Sequence, residues 1–128
     1  TGSVVRGEQL IKAVGDRMVV LSGDDGTALE LMKFGGKGNI SVTANVAPKA
    51  MSETFGAGLR GDFDTANKVH DVVKHLHRDL FIESSPIPAK YALNKMGMID
   101  TGIRLPLVWL AEQHHATIDD ALVRANLL

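Results

Sequence analysis

The chain has 128 residues, 14 Lys and Arg against 15 Asp and Glu, and a formal charge of -1, a balance that argues against a broad nucleic-acid or polybasic membrane surface. Its 45% apolar content can supply the core of one ordinary domain, but the chain is too short for two large ones. With no cysteine it forms no disulfide, thiolate nucleophile or Cys-based metal site, and no apolar run nears the roughly 18 residues of a membrane span.

The absence of cysteine fits a reducing cytosol, so a cytoplasmic location is expected. The chain opens on Thr1-Gly2-Ser3 without Met, which points to a fragment or a processed chain. Val4, Leu10, Ile11 and Val14 recur at helical spacing, with Ser3 placed to cap the helix. Met18–Ser22 is a short apolar run and reads as a strand. Ala28, Leu29, Leu31, Met32 and Phe34 then predict a helix that Gly35-Gly36 ends. Asn39–Thr43, rich in β-branched residues, reads as a second strand. Pro48 suits the start of a further helix and Gly61 its end.

Helix, strand, helix, strand, helix implies a parallel α/β arrangement, and both strands need neighbours beyond each other. From Asp62 onward the pattern is helical. Phe63, Ala66, Val69, Val73, Leu76 and Leu80 mark one face of a long helix, broken by Ser84-Ser85-Pro86-Ile87-Pro88. Pro88 opens a helix through Tyr91, Ala92 and Met96, closed by Gly97; Ile103 to Leu110 reads as extended; Thr117 caps a last helix. The expected division is residues 1–60 as α/β units and 61–128 as a helical domain.

Ser22-Gly23-Asp24-Asp25-Gly26-Thr27 follows the first strand, where α/β folds bind ligands. Its two carboxylates suit a cation or acid–base work, but capping of the next helix is the simpler role. Gly23 allows close backbone approach to a ligand. Gly35-Gly36-Lys37-Gly38 lacks the Gly-Lys-Ser/Thr ending of a phosphate loop and leads into a strand, so it reads as a helix-ending turn. Ser41, Thr43 and Asn45 cluster around the end of the second strand, where the hydroxyls either bind substrate or bond locally to backbone. No His pair stands at i, i+4 with an acid among the five histidines, so they read as solvated, with no metal site. Lys90 and Tyr91 read as a surface Lys and a half-buried Tyr.

Taken together, Val20-Leu21-Ser22-Gly23-Asp24-Asp25 and Gly35 through Asn45 resemble the last two strand–loop units of the dihydrodipicolinate synthase family. Glu83-Ser84-Ser85-Pro86-Ile87-Pro88-Ala89-Lys90-Tyr91-Ala92-Leu93 is similar to its segment between C-terminal helices, and Arg104-Leu105-Pro106-Leu107 and Ala125-Asn126-Leu127-Leu128 to its end. The strand type is shared with related pyruvate-dependent aldolases such as N-acetylneuraminate lyase relatives; the Pro86–Lys90 segment is more specific.

The resemblance implies the C-terminal portion of a (β/α)8 barrel followed by an all-helical domain. It also implies a lyase that condenses pyruvate, held as a Schiff base, with aspartate semialdehyde on the way to lysine and diaminopimelate, without a further cofactor. In the family the Schiff-base lysine stands a few residues before a Thr-Gly pair, and this chain begins at Thr1-Gly2. No catalytic residue is therefore expected here, and a non-catalytic assembly piece is the alternative for the chain alone. Ile40, through its backbone, and more loosely Gly23, are the expected substrate contacts. The resemblance further implies a homotetramer of two dimers, with Val4, Val5 and Phe34 lining a subunit contact.

Overall fold

The computed structural model describes residues 2–128; Thr1, which opens the segment expected to belong to the barrel, lies outside them. Helix α1 spans Val4–Val14, α2 Asp25–Lys33, α3 Pro48–Leu59, α4 Phe63–Asp79, α5 Ile87–Lys95 and α6 His115–Arg124. Local chemistry explains most boundaries. The Ser3 hydroxyl accepts the Arg6 amide at 3.3 Å and starts α1. At its end the Arg17 guanidinium donates to the Ala13 and Val14 carbonyls at 2.7 and 3.1 Å. Asp24 caps α2, and the Gly35 and Gly36 amides close it on Met32 and Leu31 at 3.0 and 3.1 Å. Gly35 has φ 108°, which a residue with a Cβ would adopt only under strain. Gly61, at φ 80°, turns the chain between α3 and α4. Asn126 lies in the same left-handed region, where the Leu127 amide returns to the Leu122 carbonyl to end α6.

The two expected strands shrink to one parallel bridge between Ser22 and Asn39. The Lys37 and Ser22 amides donate to Val20 and Gly38, and the Ile40 amide to Ser22, each at 2.9 Å. The segments are thus parallel neighbours, but among the described residues each has only the other to pair with. Met18, Val19, Leu21 and Ile40 stay exposed, and two paired segments seldom hold a regular ladder alone. The second segment then curls into a 3-10 turn, Thr43–Asn45, so Thr43 is not a strand residue. Thr117 does not cap the last helix either. A 3-10 turn over Glu112–His114 runs straight into α6, which makes His114 the cap and places Thr117 in the first turn.

The chain forms two compact units, one running up to Ser41 and resuming over Lys49–Asp71, the other made of Val42–Pro48 and Val72–Leu128. In the first, α1 packs on α2, and Leu29, Met32, Ala57 and Ala66 form the core with Phe55 and Phe63 against it. Gly58 lets α3 approach α2, since a Cβ there would meet Met32 Cε at 3.1 Å. In the second, α5 packs on α6, and Val73, Leu76, Leu80, Ile118 and Leu122 are almost wholly buried. The segment between α5 and α6 lacks helix up to Ala111, as expected. Its end is tied down by the Ala111 amide, which donates to Glu83 Oε1 at 3.0 Å.

Candidate functional site

The sequence places Gly23 and Ile40 on adjacent loops, and the bridge brings them together: Ile40 N–H donates to the carbonyl of Ser22, the residue before Gly23. Ser22 organises the loop around Gly23. Its hydroxyl donates to the Asp24 carbonyl and accepts the Asp24 amide, both at 3.1 Å. Asp24 accepts the Thr27 amide at 3.0 Å and the Thr27 hydroxyl, so it is the helix cap and its carboxylate is committed. Asp25, only 3% exposed, accepts from the Asn39 carboxamide. Of the two acids, neither is left as an open cation site. Among the described residues the Ile40 carbonyl and both backbone groups of Gly23 enter no hydrogen bond. They present a donor and two acceptors on an exposed edge, Ile40 itself being 71% exposed. A cleft of about 280 Å³ in the same unit is lined by Ile11, Met18, Val20 and Lys37 among others, and includes neither Gly23 nor Ile40.

Sequence reasoning missed Asn39. The signal was a carboxamide opening a β-branched run, a residue type disfavoured in strands unless its side chain has a partner. It also misjudged the histidines, all five of which are half-buried rather than solvated. His77 Nδ1 lies 2.8 Å from the hydroxyl of fully buried Thr43, a side-chain partner that neither expected role for Thr43 included. The Asn45 side-chain amide donates to the Val42 carbonyl at 3.0 Å. Ser41 is half-buried. Among the described residues no group of three or more His, Asp or Glu side chains could hold a metal ion.

Tyr91 is buried, not half-buried, and Lys90 is half-buried rather than on the surface. The Tyr91 ring stacks on His115 with centroids 4.3 Å apart, and its hydroxyl donates to Asp119 at 3.1 Å. Lys95 donates to the other Asp119 oxygen at 2.8 Å. Burial, then the Asp119 contact, pushes the Tyr91 phenol up, and the hydrogen bond and charge of Asp119 push Lys95 up. That direction is opposite to what an imine-forming amine needs. The other lysines are exposed apart from half-buried Lys90. Val4 is half-buried at the start of α1, beside Val5 at 66% exposure, and Phe34 follows α2 at 42% exposure.

These features define the class of the described chain: helices framing two short parallel segments, with an edge of backbone groups and no activated nucleophile. The sequence profile of the dihydrodipicolinate synthetase family matches residues 1–125. The chain is 90% identical over its whole length to 42% of the 4-hydroxy-tetrahydrodipicolinate synthase of Psychrobacter arcticus. It superposes with TM-score 0.96 and 52% identity on 44% of a chloride-inhibited dihydrodipicolinate synthase from Acinetobacter baumannii complexed with pyruvate, all of this chain being covered. It also superposes with TM-score 0.91 and 35% identity, again over its full length, on 44% of a synthase described as the first monomeric variant. The chain belongs to the dihydrodipicolinate synthetase family. It spans less than half the length of the relatives it matches.

Proposed function

We propose that the chain is the C-terminal part of a dihydrodipicolinate synthase, a cytoplasmic lyase that condenses pyruvate with aspartate semialdehyde. In this reading residues 1–60 are the last units of a (β/α)8 barrel and residues 61–128 its helical domain. The observation that carries it is the collinear match of residues 1–125 to the family. A lysine amine outside these 128 residues adds to the pyruvate carbonyl and loses water. The resulting imine gives up a methyl proton, and the enamine carbon attacks the aldehyde. Within the chain, the Ile40 carbonyl and the Gly23 backbone form part of the pyruvate wall. Their role is contact and shape, which matches an edge where backbone groups stand ready.

Val4, Val5 and Phe34 line a contact between subunits of a tetramer, a role supported by the exposure of Val5 and Phe34. The test is turnover of the full-length protein with pyruvate and aspartate semialdehyde. Consumption of both substrates together is the expected result. Activity only with another aldehyde acceptor would make it a different pyruvate-dependent aldolase.

A further inference from the structure

We propose that Asp25 and Asn39 form a positioning pair that sets the Ile40 backbone against the Gly23 loop; this rests on the reading of Gly23 and Ile40 as substrate contacts. Among the described residues three backbone amide bonds hold this register, two of which make the parallel bridge. A slip of one residue would replace the Ile40 carbonyl with that of a neighbour. A side-chain anchor next to Ile40 prevents the slip. Asn39 supplies it, donating its amide to Asp25 across a sequence separation of 14 residues. Asp25 suits the other end. It is buried in the first turn of α2, where the helix N-terminus favours its charge, and the bond it accepts is charge-assisted.

The Asn39 carboxamide has no second hold. Its Oδ1 is buried without a hydrogen-bond partner among the described residues, so the bond from its amide to Asp25 orients it. Asp25 is in turn the neighbour of Asp24, which caps α2 and shares the Ser22 ring around Gly23. The pair therefore links both substrate-facing backbones to one helix start.

The experiment compares Asn39→Asp with the exchanged pair Asp25→Asn/Asn39→Asp in the full-length protein. Asn39→Asp sets two carboxylates together and should raise KM for pyruvate on the order of ten-fold while kcat stays within about two-fold. The exchange reverses donor and acceptor and should return KM and melting temperature towards the parent values. A clip that only supports the fold would lower the melting temperature and leave KM unchanged, which overturns the proposal. If Asn39→Asp does not fold, the exchanged pair decides: failure to fold, or a KM that stays raised, overturns it as well. Absence of a borohydride-trapped pyruvate adduct in the unmutated protein would instead defeat the underlying reading.

Discussion

Buried hydroxyls and carboxylates carry the clearest consequences for individual residues. Tyr91 keeps its proton more tightly in the folded chain than in the unfolded one, because burial and Asp119 both oppose the phenolate. A raised folded pKa means stability is fully present below the unfolded value of 10.0 and is lost as pH rises through the folded one. Tyr91→Phe should therefore reduce the loss of stability above about pH 10, leaving the part due to Lys95. Melting curves from pH 8 to 11 check this; an unchanged alkaline limb would show that Tyr91 does not titrate with unfolding. Little of this was legible in the sequence. Gly23 could be named from its place after an apolar run, and Ile40 only through the family resemblance. Asn39 with Asp25, Thr43 with His77, and Tyr91 with Asp119 join residues 14, 34 and 28 positions apart, and no local pattern encodes such pairings.

At the level of elements, helix boundaries follow local chemistry. Asp62 opens α4 by accepting the Thr65 amide at 3.1 Å, and Thr65 holds the Asp62 carboxyl below its ordinary value. A depressed folded pKa adds stability above the unfolded value of 3.8 that is lost as pH falls through the folded one. Asp62→Ala should therefore lower the melting temperature at neutral pH and leave it nearly unchanged near pH 2. Equal losses at both pH values would contradict the capping role. Leu76 lies on the same helix and is fully buried within its unit, so Leu76→Ala should cost about 2–5 kcal/mol in denaturant unfolding. The helices were legible because Ser3, Asp24, Pro48, Gly61 and Gly97 act within a turn of their own position. The two strands were legible only as apolar runs. Whether such a run becomes a ladder depends on neighbours, and among the described residues each has one.

At the scale of the whole molecule, this chain carries helices and a backbone edge, and in the proposed reading the reacting amine lies outside residues 1–128. Assembly is one test of that scale. Phe34→Asp in the full-length protein should weaken the tetramer, seen as a shift to smaller species by sedimentation across concentration. A tetramer as tight as the parent would remove Phe34 from the interface. The most direct test is covalent. The full-length protein is incubated with pyruvate, reduced with borohydride, digested and mapped, beside the 128-residue chain treated alike. The expected result is one pyruvate-derived adduct on a lysine outside residues 1–128, and no mass change in the chain alone. An adduct on Lys12, Lys33, Lys37, Lys49, Lys68, Lys74, Lys90 or Lys95, or no adduct in the full-length protein, would contradict it.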